Sequence, residues 1–356
     1  MLVGWKPTLR MSGKFQIEVL KPSDEAEVRA FLVKAIVRPG AEASMPDGWL
    51  AWMARGAEAA GVPDIPVGWK LMAEGGIGGV HLVVPFRTAA AGGEAISIQS
   101  AGYYVDPRWH GPASGALFLA LMKYRARFHC SVGTANAASA KVWQAFKAEE
   151  SAGSGEEHCV MQLSAGLVEE ALVRKAAWMK RFLPGWAAEV RRSLPDRLAV
   201  LRQRLGATMT ACGAEAAGTC AALSFQGAGA IPTENLLRWK LSAPERRSEL
   251  LALVIAGQPC AVFLTAGPRG YRGQTAALSV SLIWGPAWES GPAVVSGALQ
   301  RAARGLFPLV TFGFSPLPAS MTHGLRRWKL DAPRRWLVRS AAQPPVLPGW
   351  NGLDAL

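Results

Sequence analysis

The sequence predicts a mixed α/β fold built as two tandem lobes joined by a helical linker. Three observations carry that prediction. The chain has 356 residues, half of them hydrophobic and only 18% charged, which is enough for two cores and leaves no block polar enough to stay disordered. Up to about residue 165 its patterning reads β-α-α-β-β-β-α-β-α-β. After about residue 208 the latter part of that order returns.

Phe15 to Leu20 alternates as a strand, and Pro22-Ser23-Asp24-Glu25 supplies cap-like and acidic first-turn residues for a helix reaching about Val37. Trp49, Leu50, Trp52 and Met53 give the stretch Pro46 to Ala57 the apolar face of a second helix. Gly68 to Ala73 and Gly78 to Phe86 read as a hairpin turned by Glu74-Gly75-Gly76, and Ala95 to Val105 as the next strand. From Gly111 to Phe128, Leu117, Leu121, Tyr124 and Phe128 recur at helical spacing, with Pro112 placed where a first turn tolerates it. A strand over His129 to Gly133, a helix over Asn136 to Lys147 and a last strand over His158 to Leu163 complete a module spanning 14–165.

Residues 166–207 read as a basic linker of two amphipathic helices broken at Pro184 and Pro195. A second lobe over 208–346 then contributes strands at Ala261 to Thr265 and Ala277 to Trp284, a helix over Pro292 to Leu306, and strands at Leu309 to Phe314 and Trp336 to Arg339. Tyr271-Arg272-Gly273-Gln274 reads as a hairpin turn, because Ser279-Val280-Ser281-Leu282 alternates after it. A short echo, Arg238-Trp239-Lys240-Leu241-Ser242-Ala243-Pro244 against Arg327-Trp328-Lys329-Leu330-Asp331-Ala332-Pro333, suggests one local solution used twice.

The formal charge of +13 calls for an anionic partner, and nucleic acid, a membrane face, an acidic carrier and a phosphate-rich cofactor all qualify. The five cysteines form no CxxC pair, which points to reduced thiols and a cytoplasmic setting. No run reaches the roughly 18 apolar residues that span a bilayer, so membrane contact, if any, is peripheral. His129-Cys130 and His158-Cys159 offer zinc-type ligands, but strand alternation scatters each pair, and no metal is expected.

The informative stretch is Val105-Asp106-Pro107-Arg108-Trp109-His110-Gly111-Pro112-Ala113-Ser114-Gly115, where a strand ends, small residues turn, and a helix begins. Unpaired N–H groups at such a helix start suit a pyrophosphate. The stretch resembles the signature V-x-P-x-x-(R/Q)-G-x-G-x-(G/A) of the GCN5-related N-acetyltransferase superfamily: Val105, Pro107, Gly111 and Gly115 fall on it. His110 stands where Arg or Gln is usual, Ala113 replaces the central Gly, and Pro112 removes a backbone donor. Asn136, Ser139 and Trp143 match the start of the superfamily's later helix, with Trp143 in place of the Tyr that protonates the departing thiolate in many relatives.

The resemblance implies acyl-CoA N-acyltransferase lobes, the second one degenerate and without the loop, with acetyl-CoA or another acyl-CoA as co-substrate. It implies cofactor contacts from Val105, His110, Gly111, Ala113, Ser114, Gly115, Asn136 and Ser139, and a small-molecule amine as acceptor. Leu237-Arg238-Trp239-Lys240 resembles the segment opening the second lobe of bacterial envelope-associated proteins, which makes an amino sugar or other envelope precursor the preferred acceptor. His110, as a titratable turn residue, Tyr103, which shares strand parity with Val105, and Glu94, at the start of that strand, are the candidate catalytic groups. Two rival readings stay open: an aminoacyl-tRNA-dependent transferase gripping RNA with the Arg174 to Arg204 helices, and a non-catalytic scaffold that kept the fold.

Overall fold

The computed structural model describes residues 9–11, 15–35, 45–90, 93–135, 137–150, 156–161, 187–206, 209–211, 215–225, 230–244, 247–269, 275–312, 326–329 and 335–340. The first half supplies strands β1 (Leu9–Met11), β2 (Phe15–Val19), β3 (Gly68–Ala73), β4 (Gly76–Ala90), β5 (Gly93–Val105), β6 (Cys130–Ala135), β7 (Glu149–Glu150) and β8 (Glu156–Met161). Its helices are α1 (Glu25–Ala35), α2 (Trp49–Ala59), α3 (Pro112–Met122) and α4 (Ala137–Ala145). The Glu25 carboxylate accepts from the N–H groups of Gly48 (2.8 Å) and Leu50 (3.0 Å), so α1 closes the start of α2. α1 and α2 cover one face of the sheet, with Val28, Leu32, Leu50 and Met53 packed on Val80, Leu82 and Val84. α3 and α4 cover the other, through Leu117, Phe118, Leu121 and Trp143.

The second half supplies α5 (Ala187–Leu205), β9 (Met209–Ala211), α6 (Glu215–Ala221), α7 (Glu234–Leu241), β10 (Arg247–Ile255), β11 (Gln258–Arg269), β12 (Thr275–Trp284), α8 (Pro286–Ser290), α9 (Pro292–Ala303), β13 (Leu309–Phe312), β14 (Arg326–Lys329) and β15 (Arg335–Ser340). Its sheet repeats the first. β4 and β5 pair antiparallel and β5 and β6 parallel, as do β11 with β12 and β12 with β13. Even the irregularity repeats: Ala101 is an extra residue in β5 between the pairs Val83↔Ser100 and Leu82↔Gly102, and Ser281 is the extra residue in β12 between Leu264↔Val280 and Phe263↔Leu282.

Each lobe lends the other a strand. The orders are β1-β2-β3-β4-β5-β6-β15-β7 and β14-β8-β13-β12-β11-β10-β9. The strand expected to close the first module therefore lies in the second sheet, and the terminal strand of the chain lies in the first. β15 pairs with the edge of β6 and β8 with the edge of β13, which ties the two lobes together through backbone hydrogen bonds. The two His-Cys pairs are separated by the same exchange, in β6 and β8.

Three further expectations need correcting. The chain does not break at Pro195, which sits inside α5; losing one backbone bond costs about 3 kcal/mol, and burying Leu194, Leu198 and Leu201 along one stripe offsets it at about 1.5–3 kcal/mol each. That stripe packs on Leu251, Val262 and Val280, so the described part of the linker is a covering helix of the second lobe. The Arg-Trp-Lys echo is one of sequence only, because the first copy lies in α7 and the second in β14. The long helix expected to reach Phe128 stops at Met122, with a 3₁₀ turn at Arg125–Arg127 after it.

Candidate functional site

The parallel pairing of β5 with β6 runs from Ser97↔Cys130 to Ser100↔Gly133 and stops there. Beyond Ser100, β5 continues against β4 as far as Gly79↔Val105, while β6 continues against β15. The two strands thus part as a fork directly after the Ala101 bulge. Gly102 to Val105 form the β5 arm, with backbone groups on that edge free of β6.

The fork leads into the loop singled out in the sequence. Asp106 caps a 3₁₀ turn over Pro107–Trp109 by accepting from the Arg108 N–H at 3.0 Å, and Arg108 returns a guanidinium contact at 2.9 Å. This pairing holds the Asp106 carboxyl down at about 2. Gly111 has φ 91° and ψ −125°, a conformation that favours glycine, and turns the chain into α3. The first intrahelical bond is Gly115 N–H to Gly111 O at 3.0 Å, so the N–H groups of Ala113 and Ser114 are left outside the helix ladder, and Pro112 has none to offer. Among the described residues, a side-chain carbon at Gly111 or Gly115 would have nothing within 4 Å. The helix start is therefore uncrowded at these two glycines.

The predicted site residues separate into groups. His110 sits exposed in the loop and its Nε2–H donates to the Val105 carbonyl at 3.2 Å, closing the turn. Ser114 donates to the Gly111 carbonyl at 2.8 Å, which also supports the turn. Tyr103 faces α3 and donates its hydroxyl to the Ser114 carbonyl at 2.7 Å, while burial pushes its phenol up to about 12. That phenol anchors the first turn of the helix. Glu94 pairs with Arg87 at 2.9 Å near the far end of β5; eleven residues of strand place it roughly 35 Å from Val105, so it does not join the others. Asn136 lies outside the described residues, and Ser139 falls in the first turns of α4.

Sequence reading missed the residue at the heart of this lobe. His81 is fully buried in β4, with Nε2 3.0 Å from Ser100 Oγ, the ring stacked on Phe118 at 5.6 Å and edge-on to Tyr103 at 5.1 Å. Burial drives its pKa down to about 3, against a smaller opposing contribution from the Leu117 backbone. The signal was there, a histidine one strand away from Tyr103 in an apolar run, but nothing in the pattern said that it would meet Ser100. Trp143 is also buried, edge-on to Phe118 at 5.0 Å and lying over Gly133, where a side-chain carbon would come within 2.5 Å of its ring.

The second lobe does carry a counterpart of the loop, contrary to expectation. Pro286-Ala287-Trp288-Glu289-Ser290-Gly291-Pro292-Ala293 follows β12 as Pro107-Arg108-Trp109-His110-Gly111-Pro112-Ala113 follows β5. One inserted residue between Trp288 and Gly291 hides the match. The helix starts differ in side chains: Val294, half exposed, and Val295, buried in the second core, stand where the first lobe has Ser114 and Gly115. The residues 271–274 lie outside the described residues, though β11 and β12 pair antiparallel to Arg269↔Thr275, as a hairpin requires.

A sheet forked beside a bulge, opening onto a small-residue helix start, is present twice, and the chain as a whole is similar to solved structures. A GCN5-related N-acetyltransferase from Kribbella flavida is similar at a TM-score of 0.52 and 13% identity, covering 92% of this chain and 71% of that one. One from Anabaena variabilis (TM-score 0.49, 11% identity, 92% and 73%) and a putative acetyltransferase from Pyrococcus horikoshii (TM-score 0.49, 10% identity, 94% and 92%) are also similar. No protein-family model matches the sequence, and no curated protein matches it. The chain has the GCN5-related N-acetyltransferase fold, in two tandem lobes.

Proposed function

We propose that the chain is an acyl-CoA-dependent N-acyltransferase that moves a short acyl group, typically acetyl, onto an amine acceptor in the first lobe. The observation that carries this reading is the fork between β5 and β6 opening onto the helix start at Gly111 to Gly115, with empty space over both glycines. Ala113 and Ser114 offer backbone N–H groups to the pyrophosphate, and the edge of Gly102 to Val105, where His110 already takes the Val105 carbonyl, offers its remaining backbone groups to an extended pantetheine arm. The absence of a side chain at Gly115 distinguishes this helix start from the second lobe's, which carries Val295 there.

Acyl-CoA supplies an activated acyl carbon and a good thiolate leaving group. The chain supplies position and a dry fork floored by Trp143, Phe118 and Gly133. No phenol stands on α4 at the Trp143 position, so the leaving thiolate takes its proton from water or departs unprotonated. His110 remains the exposed imidazole of the loop. The acceptor class favoured by the sequence resemblance is an amino sugar or related envelope precursor.

The transfer-RNA reading is less favoured because three arginines of α5 are engaged within the protein. Arg197 donates to the Leu306 carbonyl, Arg204 to those of Ala302 (3.2 Å) and Arg304 (2.6 Å), closing the end of α9, and Arg202 pairs with Glu249 at 3.6 Å. The test is release of free CoA thiol from acetyl-CoA in the presence of a panel of amines that includes amino sugars. Amine-dependent release, lost in Gly115→Val, is expected. Binding without release for any amine favours the scaffold reading, and neither binding nor release contradicts the proposal.

A further inference from the structure

The duplicated sheet provides an internal control. Matching the two lobes through their bulges, Ala101 and Ser281, makes Ser100 equivalent to Val280, Tyr103 to Ile283, His81 to Val262 and Gly133 to Phe312. The second lobe fills these positions with apolar side chains that are 5% exposed or less. The first fills three of them with a polar cluster and leaves the fourth bare. The fold therefore does not need His81 and Ser100, and a buried polar pair is commonly neutral or destabilising beside well-packed apolar residues.

The pair sits at the fork itself. Ser100 is the last β5 residue paired with β6, and His81 lies beneath it on β4. His81 is neutral, so its ring acts as a fixed dipole. Among the described residues its Nδ1 makes no hydrogen bond of acceptable geometry, the Leu117 backbone lying near the ring only as a poorly aligned acceptor. A buried N–H without an acceptor is rarer and costlier than a buried bare lone pair, which favours the tautomer whose Nε2–H donates to Ser100 Oγ. Among the described residues the Ser100 hydroxyl proton then has no acceptor, and it is available to a group entering the fork.

We infer that the Ser100 hydroxyl is the hydrogen-bond donor to the thioester carbonyl of the bound acyl-CoA, with His81 as the positioning residue that orients it. The inference rests on the proposed acyl-CoA reading. As the amine adds to that carbonyl, negative charge grows on its oxygen, and the donor strengthens when it is needed. No bond to Ser100 forms or breaks. The second lobe, with Val280 and Val262, has no such donor.

The experiment compares acetyl-CoA with S-ethyl-CoA, a thioether of similar shape lacking the carbonyl, by calorimetric titration of the full chain. One hydrogen bond predicts that the wild type prefers acetyl-CoA by about 5- to 10-fold. Ser100→Ala should abolish the preference while leaving the affinity for free CoA unchanged. His81→Gln, which keeps an amide N–H, should retain most of it, and His81→Val should lose it. The double variant His81→Val/Ser100→Val copies the second lobe and guards against a folding defect in the single variants. Isotope-edited infrared spectra of carbonyl-labelled acetyl-CoA should show a stretch lowered in the wild type and restored in Ser100→Ala. A preference and carbonyl stretch indifferent to Ser100 would overturn the inference alone. A wild type that binds neither acetyl-CoA, S-ethyl-CoA nor CoA overturns it together with the acyl-CoA reading.

Discussion

Trp52 of α2 and Trp239 of α7 lock the two halves of the chain together by a reciprocal contact. Their rings stack at 4.6 Å with an interplanar angle of 8°, the Trp52 indole N–H donates to the Trp239 carbonyl at 2.8 Å, and the Trp239 indole N–H donates to the Trp52 carbonyl at 2.7 Å. α7 is built for this. Leu236, Trp239 and Ala243 face the first core, whereas Leu237 and Leu241 face the second, so one short helix serves two lobes at i, i+3 and i+4 spacings. Trp239→Ala should destabilise the protein by about 3–5 kcal/mol, and Trp239→Phe, which keeps the stack and strands one buried carbonyl, by about 1–3 kcal/mol. Denaturant melts of both variants check the order. Gly56→Ala should also destabilise, since its methyl would lie 2.9 Å from the Trp239 ring.

His81 makes acid sensitivity specific to the first lobe. Its folded pKa of about 3 lies below the ordinary 6.5, so the unfolded chain binds the proton first. The stability this neutral ring contributes is present above pH 6.5 and is lost as pH falls from 6.5 toward 3, at up to about 1.4 kcal/mol per pH unit. His81→Val, which copies Val262, should flatten that part of the curve. Stability measured at pH 7 and pH 4.5 for both proteins tests it; equal losses would contradict the burial argument.

Tyr103 acts at the other end of the scale. Burial raises its phenol from 10 to about 12, so its contribution is complete below pH 10 and is lost as pH rises from 10 through 12. Tyr103→Phe should lose about 0.5–1.5 kcal/mol at pH 7 from the missing bond to the Ser114 carbonyl. It should also be less sensitive to alkali than the wild type. Melts at pH 8 and pH 11 separate the two effects.

Trp143 is a packing residue over Gly133. Trp143→Phe should destabilise by about 1–3 kcal/mol through the cavity it leaves while preserving CoA affinity, and Gly133→Ala should be destabilising because its methyl meets the ring at 2.5 Å. Loss of CoA binding in a folded Trp143→Phe protein would assign the indole a direct contact.

Much of this was legible in the chain. Alternating apolar residues placed β2 to β6, and the Val105 to Gly115 stretch marked the strand-to-helix junction, because turn chemistry and periodicity are local. What stayed hidden was non-local. Nothing in Glu156–Met161 or Arg335–Ser340 says that these strands change lobes, since strand pairing is decided by which edge is open. The Ala101 and Ser281 bulges leave no local mark. The second loop escaped because a single insertion after Trp288 defeats a fixed-spacing pattern. The arginines of α5 read as a basic face, and the carbonyls they cap are about a hundred residues away. Glu94 seemed close to the loop by strand membership alone, yet the length of β5 separates them.

The central claim is one acyl-CoA site per chain, held at the first helix start and absent from the second. Calorimetric titration of acetyl-CoA into the wild type and Gly115→Val tests it most directly, because Gly115 has no neighbour within 4 Å of its missing side chain and the substitution installs the residue found at Val295. One equivalent bound by the wild type is expected, with at least a 10-fold loss of affinity in a Gly115→Val protein that melts no lower. No binding by the wild type, two equivalents, or an affinity untouched by Gly115→Val would contradict it.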